Sequence, residues 1–137
     1  MLTQSEIFAF AKKATRGAGF SWGMAEEAAT ATVALYMVGQ DGFAALAQVL
    51  QNADGKDHPM PINHAPICGL TLGTYLSDCG KPPHNGDVIG APIMHALCGS
   101  LTKGKPSLPQ AAPQVIQDFA FRTYVPDSAE SRLRGAG

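Results

Sequence analysis

Arg16, set between Thr15 and Gly17 and followed by Gly19 and Trp22, is the sharpest candidate for chemistry in this sequence. The surrounding stretch, Lys12 to Glu27, reads KKATRGAGFSWGMAEE: a basic helix end, three glycines, an aromatic pair and an acidic helix start. Glycines this dense allow positive φ or a close backbone approach. Just ahead of a helix, free N–H groups and the helix dipole can hold an anion, and the Arg16 guanidinium can clamp a carboxylate or phosphate through two parallel hydrogen bonds. Gly17, Gly19 and Trp22 belong to the same candidate ligand site. The segment Arg16 to Gly19 recurs as Arg134 to Gly137, and Arg122, Arg132 and Arg134 would join the site if the C-terminal stretch folds back. Converging arginines need a counter-charge, and Glu26 or Glu27 is the expected internal one, with an external anion second. A plainer reading competes: Gly17 and Gly19 end one helix and turn into the next, while Lys12, Lys13 and Arg16 complement its dipole. Phosphate-binding loops follow a strand, whereas a helix precedes this one, so no cofactor is expected.

The histidines and cysteines invite a metal test. His64 and Cys68, His95 and Cys98, and Cys79 and His84 stand four, three and five residues apart. Imidazole and thiolate suit zinc, but the sequence has no CxxC or HExxH, and no metal is expected. Cys68 and Cys98 lie in apolar runs, where a free cysteine acts as a small core residue; His58 and His84 stand beside prolines and read as surface. Cys79 sits at a polar turn, without the base or helix N-terminus that activates a thiol. Glu26 and Glu27 are adjacent and point apart on a helix, so no carboxylate pair is set up for acid–base work.

The elements that must position these residues read as helices in the N-terminal half. Thr3 and Glu6 make a capping box, and Ile7, Phe10, Ala11 and Ala14 follow a helical stripe with Lys12 and Arg16 on the opposite face. That helix should stop at Gly17 or Gly19. A second should begin between Trp22 and Met24, with Glu26 and Glu27 in its first turn. Its alanines, with Val33, Leu35 and Val38, cover nearly the whole circumference, which predicts a central, buried helix. Asp41-Gly42 opens a third through Phe43, Leu46, Val49 and Leu50. Residues 52–66 and 80–90 are proline- and glycine-bearing loops. Between them, Ile67 to Leu76 is read as helix, with strand allowed. Pro92 to Leu101 reads as a short helix with Pro92 at its first position, and Gln114 to Tyr124 as a last helix or strand ended by Pro126. The expected fold is mainly α: one compact domain, residues 1–137, of about five or six helices with long Pro/Gly-rich loops.

Three blocks carry a resemblance: KATRGAGFSWGMAEEA (Lys13 to Ala28), PICGLTLGTYLSDCG (Pro66 to Gly80) and RTYVPDSAESRLRGAG (Arg122 to Gly137). In this order the chain resembles an uncharacterised proteobacterial domain family of unknown function. Members of that family are longer between the second and third blocks and run on past the final glycines with acidic residues; this chain departs on both counts. The resemblance implies relatedness and no activity.

At 137 residues, 45% hydrophobic and 15% charged, the chain can build one core. A net charge of −1 gives no field for nucleic acid or an anionic membrane. Three widely spaced cysteines fit a reducing interior, and the start lacks a signal-peptide pattern, so a cytoplasmic location is expected. The leading expectation is a small binding or interaction protein, with self-association into a homo-oligomer allowed. The alternative is an enzyme, or an accessory subunit of one, acting on a small anionic metabolite held near Arg16.

Overall fold

Capping explains where each of the first three helices begins. In the computed structural model, which describes residues 1–56, 67–79 and 88–123, α1 spans Gln4–Gly17, α2 Trp22–Met37 and α3 Gly42–Ala53. The Thr3 hydroxyl accepts from the Glu6 backbone N–H and the Glu6 carboxylate accepts from the Thr3 N–H, both at 3.1 Å, completing the expected box. Ser21 caps α2 by accepting from Met24 N–H at 3.2 Å, and Asp41 caps α3 by accepting from Ala44 N–H at 3.1 Å. Because α2 starts at Trp22, Glu26 and Glu27 fall in its second turn rather than its first.

The remaining elements are β1 (Ile67–Cys68), α4 (Gly69–Cys79), β2 (Val88–Ile89), α5 (Ala91–Leu97) and α6 (Gln114–Phe121). The helix expected from Ile67 begins two residues later, because Ile67 and Cys68 pair in parallel with Val88 and Ile89. Gly90 precedes α5 in the left-handed region, φ +71°, which makes Ala91 the first helical residue and Pro92 the second. The rest of the loops at 52–66 and 80–90, and everything after Thr123, lie outside the described residues.

The described residues share one hydrophobic cluster, with Ile7, Phe20, Leu35, Phe43, Leu46, Leu50, Ile93 and Ile116 fully buried. α2 packs against α1, α3, α4 and α5, so its central position holds. Its burial on nearly every face does not. Trp22, Gly23, Glu26, Glu27 and Thr30 are exposed, and Val33 and Ala34 are only half-buried. The more continuously buried helix is α3, where only Ala44, Gln48 and Gln51 are exposed. Alanine covers α2 because small side chains let four neighbours approach, not because it is enclosed all round.

Tyr36 and Phe43 fasten the α2–α3 corner with an edge-on ring contact at 5.5 Å. The Tyr36 hydroxyl donates to Asp41 Oδ1 at 2.8 Å and accepts from Phe43 N–H at 3.1 Å. Burial, with the neighbouring Asp41 carboxylate adding to it, pushes this hydroxyl well above the ordinary tyrosine range.

Candidate functional site

α1 ends at Gly17 because the chain must turn sharply there. Ala18 N–H still reaches Ala14 O at 3.0 Å, and Gly19 then takes φ +105°, a conformation side chains rarely adopt. The turn separates an aromatic pair that the sequence sets two residues apart. Phe20 drops into the core with no exposed surface, while Trp22 opens α2 with half its surface in solvent.

Trp22 is nonetheless held. The Lys12 ammonium lies 5.6 Å and the Arg16 guanidinium 5.4 Å from its ring centroid, both within cation–π range. Arg16 Nη1 also donates to Phe20 O at 3.0 Å, which bends its side chain back over the turn. Lys12 pairs with Glu26 at 3.3 Å. Of the two acids expected to serve Arg16, Glu26 therefore pairs with Lys12 instead, one helical turn earlier on the same face. Among the described residues Arg16 has no ion-pair partner.

Arg122 arrives from the other side of the sequence, as the residue capping α6. α6 can approach α1 this closely because Gly17 has no side chain: a Cβ there would overlap the Phe119 carbonyl oxygen. Gly17 is thus a packing residue, and the plainer reading of the two glycines, helix end and turn, is the one the geometry supports. Arg122 binds Asp54 with both nitrogens, Nη1 to Oδ1 at 2.7 Å and Nη2 to Oδ2 at 3.1 Å. It also lies 4.6 Å over Phe119 and reaches Gly17 O at 3.5 Å. The bidentate bond holds the Asp54 carboxyl below the usual carboxylate range and raises Arg122.

Arg16, Gly17, Trp22, Arg122 and Thr123 together line an open cleft of about 370 Å³. The structure thus joins four of the seven expected site residues and keeps Gly19 in the adjoining turn, while Arg132 and Arg134 lie outside the described residues. Sequence reasoning missed Asp54, whose partner is distant along the chain and which carries no local signal beyond the end of α3. It also missed the contact of Lys12 with Glu26.

Of the histidines and cysteines, His58, His64 and His84 lie outside the described residues, and Cys79 ends α4. Cys68 is a buried core residue, as expected. Cys98 is not: it follows the last turn of α5 and is exposed. Among the described residues no group of three or more His, Cys, Asp or Glu side chains could hold a metal ion. No helix among them is long and apolar enough to cross a membrane.

A family model described as a protein of unknown function (DUF3726) matches residues 2–65. The match contains the block Lys13 to Ala28 and agrees with the resemblance to an uncharacterised domain family read from the sequence. No curated protein and no solved structure matches the chain.

Proposed function

We propose that this chain is a small cytoplasmic binding protein of bacterial origin that docks an acidic segment of a partner protein across Trp22. One observation carries the reading: a half-exposed tryptophan is held in place by two cations beside an open cleft that Arg122 also lines. Tryptophan and arginine dominate the residues that carry interface energy, because each offers a large rigid contact area and a polar handle. Arg16 uses one nitrogen on Phe20 O, so the rest of its fork is available for a carboxylate.

The openness of the cleft favours a polypeptide over a metabolite. Small ligands bind in concavities that bury most of their surface. Here Trp22 is 51% exposed and the Arg122 side chain 49% exposed, so a small anion would stay largely in water. An extended acidic segment covers the rim as well as the floor. A cytoplasmic location is supported by the free thiols of Cys68 and Cys98.

Trp22 is the only tryptophan in the chain, which makes it an intrinsic reporter. Titration with a hexaglutamate peptide should saturate a change in its emission, and the affinity should weaken with added salt. Hexalysine should give no change, and inorganic phosphate only a weak one. Equal response to both peptides would overturn the reading. Saturation by phosphate at lower concentration than by hexaglutamate would replace it with the metabolite alternative. A Trp22 signal that follows protein concentration alone would replace it with self-association.

A further inference from the structure

A second group of reactive side chains stands at the end of α5, away from the cleft, and owes nothing to the reading proposed there. Gly99 takes φ +76°, and Ser100 N–H returns to His95 O at 2.9 Å, so the chain closes back over the last turn. This cap delivers the Ser100 hydroxyl to 2.7 Å from His95 Nδ1, within the range of a strong O–H···N bond. Cys98 Sγ lies 3.2 Å from the same hydroxyl oxygen. The thiol also reaches His95 O at 3.8 Å and the hydroxyl reaches it at 3.5 Å, so the ring nitrogen at 2.7 Å is the nearest acceptor for the serine proton when the ring proton sits on Nε2.

His95 and Ser100 both line a cavity of about 340 Å³ whose other walls include Gln40, Pro92, Leu101 and Thr102. Apart from His95 the walls bear no ionisable group. The Gln40 amide and the Thr102 hydroxyl are the wall groups able to donate to a carbonyl oxygen.

We propose that Ser100 and His95 form a nucleophile–base pair that takes an acyl group from a small uncharged ester in this cavity. A hydroxyl is a weak nucleophile until an adjacent base removes its proton, and the observed bond supplies that base. Ser100 Oγ adds to the carbonyl carbon as its proton passes to His95 Nδ1. The tetrahedral adduct then expels the alkoxide, which takes that proton. Water attacks the acyl-serine, giving a proton to Nδ1, and returning Oγ recovers it. The sum is ester plus water to acid plus alcohol, with no change of oxidation state.

The test uses the full chain and p-nitrophenyl acetate, following nitrophenolate release and locating the acetyl group by peptide mass mapping. Acetylation of Ser100 should run at least about 100-fold faster in the folded chain than in urea, the lower range of a positioned general base. Ser100→Ala should abolish it. His95→Gln should slow it by a similar factor with the acetyl still on Ser100, and Cys98→Ala should still carry the acetyl on Ser100. All three side chains are exposed, so the variants retain the fold, which circular dichroism verifies. Acetyl found only on Cys98 or lysines, equal rates in the folded and unfolded chain, or a His95→Gln variant as fast as the wild type would each overturn the proposal.

Discussion

At the α1–α2 corner the chemistry-bearing side chains come from three elements: Arg16 from α1, Trp22 from α2 and Arg122 from the end of α6. At the end of α5 they come from six consecutive residues, His95 to Ser100. The first site exists only when the helices pack, and its geometry rests on Gly17 letting α6 come close. The second is made by one helix cap and one left-handed glycine. A perturbation of the core should therefore dismantle the cleft while leaving the cap's internal geometry nearly intact. The two arginines of the cleft repeat the lesson at closer range. Arg122 spends both terminal nitrogens on Asp54 and acts as a strut, whereas Arg16 touches a carbonyl and an aromatic face and keeps donors in reserve.

The largest expected effect comes from the core that both sites share. Ala29 has no exposed surface, so Ala29→Glu should cost several kcal/mol, on the order of the 3–5 kcal/mol of an uncompensated buried charge. Ala34 is half-buried, and its glutamate variant should be clearly milder. Urea melts of the two proteins decide this; equal midpoints would mean α2 is not seated as described.

Next in size is the hinge of the comparison itself. Gly17→Ala should cost about 1–3 kcal/mol, the usual range for overpacking, since the added methyl meets backbone that cannot rotate away. The same variant should weaken hexaglutamate binding at Trp22 and leave acetylation of Ser100 unchanged. Parallel loss at both sites would erase the distinction between them.

Much of this was legible in the sequence, for reasons that differ by element. The capping box at Thr3, a stop at Gly17 or Gly19, the restart at Asp41-Gly42 and the apolar residues of α3 are local signals; α1 ends at the first of those glycines and α3 begins at Gly42. Arg16, Gly17 and Trp22 were legible as a neighbourhood because arginine beside glycine and an aromatic is a sparse pattern, whereas Arg122 entered only on the condition that the C-terminal stretch folds back. The role of Gly17 was not, since nothing local says that Phe119 will lie against it. Asp54 was invisible for the same reason. The over-reading of α2 as enclosed came from taking an uncharged alanine face as evidence of burial, when alanine also serves close approach beside solvent. His95 and Cys98 drew attention as a metal spacing, and the serine two residues on escaped it because only the left-handed turn at Gly99 folds it back.

A smaller effect is expected from the strut. Asp54 is held below its ordinary pKa by Arg122, so the stability this pair adds is present above the unfolded carboxylate range, near pH 4, and is lost as pH falls through the lower folded value. Thermal melts of wild type and Asp54→Asn should therefore differ at pH 7, and the gap should shrink as the pH is taken below the unfolded carboxylate range. A gap that widens on acidification would reverse the assignment. Smaller again, Glu26→Gln removes the partner of Lys12 and should tighten hexaglutamate binding slightly at low salt, with the gain fading as salt rises.

The central claim, that Arg16 is the recognition cation and Arg122 the strut, is tested most directly by hexaglutamate titration of Trp22 emission in Arg16→Gln and Arg122→Gln. With its reserve donors gone, Arg16→Gln should bind roughly tenfold or more weakly, the equivalent of one charge-assisted contact, with a smaller fall in melting temperature than Arg122→Gln. Arg122→Gln should melt lower and, once folded, bind with a smaller loss. Wild-type affinity in Arg16→Gln, with the loss confined to Arg122→Gln, would contradict the account.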